Sequence, residues 1–179
     1  MRHTFMESIS IELAQHGIAT FRYNFPYTGK GNRRPDFTPV LLATVRKAVD
    51  VAGETTRDLP LLAGGKSMGG RMTSMVAAED SLLRVKGLVF FGFPLHAPGQ
   101  PSIERAAHLK AVQVPMLFLQ GTRDSLADIK LIKRVADGLP GATLVMFEGA
   151  DHSFKAGKNV VIPQLVESVS AWINSLNVT

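Results

Sequence analysis

The chain has 179 residues, enough for one domain with a sizeable core, and 45% of them are hydrophobic, as is typical of globular proteins. The absence of cysteine excludes disulfides, thiolate metal sites and a cysteine nucleophile. The formal charge is +5 and the pI is about 9.7, but the basic residues are scattered, so we expect no nucleic-acid partner.

The N-terminal residues predict an amphipathic helix and not a secretory signal. Phe5, Ile9 and Leu13 share one helical face, and Gly17 ends the pattern. The longest apolar run, "GLVFFGFPL", is too short to span a bilayer. We therefore expect a cytoplasmic protein that has no membrane partner.

Five apolar segments predict the strands of a mostly parallel sheet. Their apolar residues run continuously instead of alternating, which is typical of strands covered on both faces. The predicted strands are 18–24, 59–63, 85–93, 114–121 and 142–149. Helical patterns begin at Thr38 and Met68, and others run through Ile129 and Leu165. This alternation predicts one α/β domain over 1–179, a three-layer α/β/α sandwich with a short cap-like excursion at 94–113.

The segment "GGKSMGG" contains the pattern G-x-S-x-G between a predicted strand and a predicted helix. That context indicates a nucleophile elbow, a sharp turn that exposes Ser67, with Gly65 and Gly69 letting strand and helix approach closely. The helix N-terminus, Met68 N–H first, would then face a developing oxyanion. A phosphate-binding loop requires a different order around Lys66, and the simpler alternative is a glycine-rich turn with an incidental serine.

A serine nucleophile needs a base, and the base needs an acid that orients it. The elbow fold places these residues in the chain order serine, acid, histidine. Asp124 follows one predicted strand and His152 follows the next, at the strand ends where α/β sheets collect ligands. Asp128 is the alternative acid, but it suits the N-cap of the following helix.

Apolar residues near these loops are candidates for contact with the substrate. The excursion at 94–113 is too short for a large lid, so we expect an open, shallow cleft. No metal or organic cofactor is implied. The candidate substrate-binding residues are Phe93, Leu95, His96 and Phe154, although core packing is the simpler role for Phe93.

The other histidines and two charged residues near the motifs have simpler interpretations. His3, His16 and His108 are expected in solvent. Asp151 is expected to point away from its neighbour His152. Lys66 is expected to be solvated or to pair with a loop, and not to act in catalysis.

These motifs resemble the α/β-hydrolase superfamily. More narrowly, "RYNFPY", "RRPDFTPVL", "GGKSMGGRM", "GFPLHAPG" and "DHSFK" look like a group of bacterial dienelactone-hydrolase-like predicted hydrolases. The resemblance implies Ser67 as nucleophile, His152 as base and Asp124 as its partner, but it supplies no substrate. From the site we expect a serine hydrolase that cleaves a small ester, thioester or related acyl compound. Dienelactone hydrolases proper have a cysteine at the position of Ser67. Eukaryotic relatives of the group include a subunit of a histone-acetyltransferase complex, so a scaffold with little or no turnover is the alternative function.

The resemblance also implies a strand and an "HGAG"-like loop ahead of the first helix, the loop supplying a second oxyanion donor. The opening residues "MRHTFM" are similar to the tail of that loop, so we expect a shortened chain. The absent strand would lie between 18–24 and 60–64, leaving them about 9.6 Å apart. We therefore expect a gap or another segment there, and no direct ladder.

Overall fold

The computed structural model describes residues 4–79, 82 and 84–176. Four strands form the main sheet and two short strands form a hairpin; a 3₁₀ helix at Glu104–Ala111 packs beside them. The strands are β1 (Leu61–Lys66), β2 (Val85–Phe91), β3 (Met116–Gly121), β4 (Ala142–Phe147), β5 (Lys155–Ala156) and β6 (Asn159–Val160). The helices are α1 (Thr4–Gln15), α2 (Pro26–Gly29), α3 (Thr38–Thr55), α4 (Met68–Glu79), α5 (Ile129–Asp137) and α6 (Ile162–Ser175).

The main sheet is parallel, and its strands lie in the order β1-β2-β3-β4. Gly65 pairs with Phe90, and Phe91 pairs with Leu119. Because the strands are parallel and in register, their carboxyl ends meet at one edge of the sheet. The loops that leave this edge carry the three candidate catalytic residues.

Apolar clusters of the described residues cover both faces of the sheet and make the three layers. Neighbouring residues of a strand point to opposite faces. Val89 and Leu117 belong to the core covered by α1 and α6. Leu88 and Phe118 belong to the core covered by α4, α5 and the 3₁₀ helix. The chain is therefore a three-layer α/β/α sandwich, as the sequence predicts.

The predicted strand at 18–24 is wrong, because no sheet ladder of the described residues includes this segment. A strand needs a hydrogen-bonded neighbour. Among the described residues, no ladder joins 18–24 to β1, and this agrees with our expectation that the two segments are not directly paired. Most of the segment is exposed, and Phe21 is 49% exposed.

The excursion at 94–113 packs largely against the helical layer. Its 3₁₀ helix contains His108, which the sequence places on a surface helix, and it buries Ala106 and Leu109 in the core that contains Phe118. Across the described residues, no helix is both long enough and apolar enough to cross a membrane.

Candidate active site

Ser67 occupies a strained turn between β1 and α4. Its φ is 52°, in the left-handed region that residues other than glycine rarely adopt. Such a conformation costs on the order of 1–3 kcal/mol and persists only when the surroundings hold it. Here the Ser67 N–H donates to the carbonyl oxygen of Phe91 at 3.1 Å, and the Ser67 carbonyl accepts from Arg71 N–H at 3.1 Å. The turn is therefore fixed both to β2 and to the first turn of α4.

The glycines that permit this turn are Gly65 and Gly70, not Gly65 and Gly69 as the sequence pattern suggests. A Cβ on Gly70 would lie 2.7 Å from the Gly65 carbonyl oxygen, closer than real Cβ atoms approach. A Cβ on Gly65 would lie 3.2 Å from backbone atoms of Gly69 and Gly70. A Cβ on Gly69 would meet nothing within 4 Å.

The structure brings Ser67, His152 and Asp124 together in one chain of hydrogen bonds. His152 Nε2 lies 2.9 Å from Ser67 Oγ, and His152 Nδ1 lies 2.7 Å from Asp124 Oδ2. Because an ionised carboxylate only accepts, Nδ1 carries the proton and Nε2 is free to accept from the serine hydroxyl. The Asp124 side chain is fully buried, whereas the His152 side chain is 23% exposed.

The acid is held by a side chain that our sequence reasoning missed. Gln120 Nε2 donates to Asp124 Oδ2 at 2.5 Å, and Gln120 Oε1 accepts from Phe93 N–H at 3.0 Å. Leu126 N–H donates to Asp124 Oδ1 at 2.8 Å. Gln120 is fully buried, and the signal that could have revealed it is a polar residue within the apolar strand "MLFLQG", four positions before the acid.

The loop that carries His152 is organised by Asp151, which points away from the triad as expected. Asp151 Oδ1 accepts from Ser153 N–H at 2.7 Å and from Lys155 N–H at 3.0 Å. Phe154, in the same loop, has a φ of 59°. The loop is thus a tight turn that holds the imidazole over the end of the sheet.

Gly92, just after β2, leaves room for the imidazole because it has no side chain. Gly92 has a φ of 71°, and a Cβ on it would lie 3.4 Å from the His152 ring and 3.6 Å from Asp124 Oδ2. A larger residue there would press on His152 and Asp124 together.

Lys66, expected to be solvated or paired with a loop, pairs with the histidine loop. Its Nζ donates to the His152 carbonyl oxygen at 2.5 Å. The ammonium also lies 4.7 Å from the Phe5 ring centroid and 5.1 Å from that of Phe154. Burial lowers the pKa of Lys66 to about 8, although the negative charges of Asp124 and Asp151 act in the opposite direction.

Three of the predicted substrate contacts are core residues instead. Phe93, Leu95 and Phe154 each have 0% exposure, so no substrate can touch them in this structure. Phe93 and Leu95 pack in the core beneath α4 and α5, and Phe154 packs in the core beneath α1 and α6. Their apolar character reflects packing.

His96, the fourth predicted contact, braces the loop that carries the acid. It is 5% exposed, its Nδ1 lies 2.8 Å from the Ala97 carbonyl oxygen, and its Nε2 accepts from Asp128 N–H at 2.8 Å. Both ring nitrogens are thus committed to the backbone. Asp128 is the N-cap of α5 and accepts from Lys130 and Leu131 N–H, as expected of it.

The remaining histidines lie away from the triad or outside the described residues. His16 is exposed, as expected, and His3 lies outside the described residues. The expectation for His108 is wrong: it is half-buried, and its Nε2 lies 2.8 Å from Ser74 Oγ. Burial lowers its pKa, and the positive charge of Arg71 acts in the same direction while Glu79 opposes it.

Met68 begins α4 directly after Ser67. The first N–H groups of a helix lack intrahelical acceptors, and the helix dipole adds positive potential there. The Met68 N–H therefore belongs to a group of donors suited to an anionic oxygen.

The chain matches the family described as "Alpha/beta hydrolase domain" over residues 1–174. Among solved structures it is similar to an α/β serine hydrolase homologue from Coxiella burnetii, with 19% identity and a TM-score of 0.73, covering 100% of this chain and 78% of that one. It is also similar to a dienelactone hydrolase from Anabaena variabilis, with 19% identity and a TM-score of 0.75, covering 97% and 80%. A third is Est1E from Butyrivibrio proteoclasticus with bound ferulic acid, with 15% identity and a TM-score of 0.78, covering 99% and 85%.

An α/β sandwich with a serine elbow at the carboxyl edge of a parallel sheet defines the hydrolase class of fold. The chain belongs to the α/β-hydrolase family, as the match over nearly its whole length shows.

Proposed function

We propose that this protein is a serine hydrolase that cleaves a small ester, thioester or related acyl compound. The observation that carries the proposal is the continuous hydrogen-bonded chain from Asp124 through His152 to Ser67. The strained backbone of Ser67 supports it, because such strain clusters at functional sites.

The chemistry follows from the donor and acceptor roles in that chain. Ser67 Oγ attacks the acyl carbonyl carbon while its proton passes to His152 Nε2. The resulting oxyanion is stabilised by backbone N–H groups at the start of α4, with Met68 first. The imidazolium then protonates the leaving group, and an acyl ester on Ser67 remains. Water then attacks this ester while its proton passes to His152 Nε2. The imidazolium returns the proton to Ser67 Oγ, which releases the carboxylic acid and restores the serine.

Asp124 serves the reaction by fixing the tautomer and orientation of the base. It accepts from His152 Nδ1, from Gln120 and from Leu126 N–H, so the carboxylate has little freedom to rotate. Its buried charge also stabilises the imidazolium that forms during attack.

The substrate class is proposed from the site and from the relatives. Phe93, Leu95 and Phe154 are enclosed in the cores, so we propose that the acyl group lies in an open cleft around the elbow. Est1E binds ferulic acid, and the Anabaena relative is a dienelactone hydrolase, so we propose small carboxylic esters as first substrates.

A fluorophosphonate probe tests the nucleophile directly. The wild-type protein should be labelled and should hydrolyse p-nitrophenyl acetate and methyl ferulate, whereas Ser67→Ala should lose labelling and roughly 10⁴–10⁶-fold in kcat. Ser153→Ala, which removes an exposed serine beside the base, is the matched control and should keep both. Labelling that persists in Ser67→Ala would contradict the assignment, and an unlabelled wild-type protein would favour a scaffold without turnover.

A further inference from the structure

The ammonium of Lys66 is surrounded by groups that attract a cation. It donates to the His152 carbonyl oxygen at 2.5 Å and faces the rings of Phe5 and Phe154 at 4.7 and 5.1 Å. The two rings are themselves stacked, with centroids 5.7 Å apart and planes at 18°. Burying a charged group costs free energy, and these contacts with the carbonyl oxygen and the rings offset part of that cost.

The hydrogen bond from Lys66 joins β1, which leads into Ser67, to the loop that carries His152. Lys66 is the last residue of β1 and immediately precedes Ser67. Two hydrogen bonds tie the histidine loop to the loop that carries Asp124: Gly149 N–H donates to Thr122 Oγ1 at 2.8 Å, and Arg123 N–H donates to the Ala150 carbonyl at 2.9 Å. Thus the acid loop fixes the base relative to Asp124, and Lys66 fixes it relative to Ser67.

We propose that Lys66 is a positioning residue for the triad, whose ammonium sets the distance between the His152 imidazole and Ser67 and must be charged for full activity. The proposal rests on the serine-hydrolase function proposed above. Lys66 touches no reacting atom, because its Nζ is committed to the His152 backbone.

The groups around Lys66 indicate how its effect depends on pH. Aromatic rings face it from α1 and from the histidine loop, and the charges that act on it are the carboxylates of Asp124 and Asp151. Burial outweighs these carboxylates and lowers the pKa of Lys66 to about 8. Above that pH the neutral amine makes a weaker hydrogen bond and loses its attraction to the rings. Because a triad uses the neutral imidazole as base, titration of the base itself does not cause an alkaline decline.

The test compares Lys66→Met with Lys155→Met. Methionine keeps the length and the apolar contact with the rings but removes the donor and the charge. Lys155 also lies close to the base in sequence, but it is exposed, so its variant controls for the loss of one positive charge. For Lys66→Met we expect kcat on p-nitrophenyl acetate to fall by about 10²-fold with little change in KM, since a misplacement of about 1 Å costs that much. The wild-type decline above pH about 8 should be absent from Lys66→Met and present in Lys155→Met.

A crystal structure of Lys66→Met tests the geometry without any turnover. We expect the distance from His152 Nε2 to Ser67 Oγ to exceed about 3.5 Å, beyond hydrogen-bond range, while the bond from His152 Nδ1 to Asp124 stays near its present 2.7 Å. An unmoved imidazole would overturn the proposal even if the protein proves to have no hydrolase activity. If the wild type is labelled at Ser67 but Lys66→Met matches Lys155→Met in kcat and pH profile, the proposal fails while the proposed function stands. Should Lys66→Met not fold, a wild-type labelling rate that does not decline above pH about 8 would refute it.

Discussion

Two adjacent glycines at the start of α4 should respond in opposite directions to the same substitution. Gly69 and Gly70 both lie in the first turn of the helix, and neither has a positive φ. A Cβ on Gly69 enters open space, whereas a Cβ on Gly70 would lie 2.7 Å from the Gly65 carbonyl oxygen and 3.1 Å from Phe90 Cδ1. Alanine at position 69 therefore reports the gain in helix propensity alone, and alanine at position 70 reports the same gain together with the cost of the close contact.

The magnitudes follow from these distances. Gly69→Ala should stabilise the fold by about 0.5–1 kcal/mol, because glycine restricts the unfolded chain less than alanine does. Gly70→Ala gains the same propensity but meets a backbone oxygen that cannot rotate away. We place its contact cost near the upper end of the usual 1–3 kcal/mol for overpacking, giving a net loss of about 2 kcal/mol. The two variants should therefore differ by about 3 kcal/mol.

Thermal unfolding of the two variants and the wild type measures this difference. For a chain of this size, 1 kcal/mol shifts the melting temperature by about 2–4 °C, so the variants should differ by about 6–12 °C. Gly70→Ala should also lose activity, because moving α4 away from β1 moves Ser67 and the Met68 N–H. Equal melting temperatures for the two variants would refute the assignment of the close approach to Gly65 and Gly70.

Two further predictions concern the triad's supports. Gln120→Leu removes a donor to the Asp124 carboxylate and leaves the Phe93 N–H unpaired. It should therefore lower the free energy of unfolding in urea by about 2–4 kcal/mol and reduce kcat. The control Gln113→Leu, at an exposed site, should change neither quantity. For Lys66, the free energy of unfolding should rise with pH from about 8 to 10.5, and this rise should be absent from Lys66→Met in urea titrations across that range.

The sequence was sufficient to predict that three side chains come together, because the signals for them are local. Ser67, Asp124 and His152 each follow an apolar run, and the parallel sheet then brings the ends of β1, β3 and β4 to one edge. Features that depend on neighbours were predicted less well. The segment 18–24 has a strand-like composition but joins no sheet ladder among the described residues.

Contacts between elements explain the other errors in the same way. Gly70 and not Gly69 faces β1, which depends on how α4 is rotated against the sheet. Phe93 and Phe154 lie close to the motifs in sequence, but the cores on either side of the sheet enclose them fully. An apolar residue beside a catalytic loop is equally suited to packing and to substrate contact, and only the folded structure decides between them.

The two pH dependences expected of Lys66 have opposite signs, and this separates a functional role from a purely structural one. Between pH about 8 and 10.5 the unfolded chain keeps the lysine proton while the folded protein has lost it, so the unfolded state binds more protons and stability rises with pH. Over the same range the folded protein loses the ammonium that holds the His152 carbonyl, so activity falls. A methionine of similar length would fill the same space without the cost of burying a charge, so stability alone does not favour a lysine at this position. Stability and kcat measured together on one sample across this range should therefore diverge, and parallel changes would show that Lys66 acts through the stability of the fold.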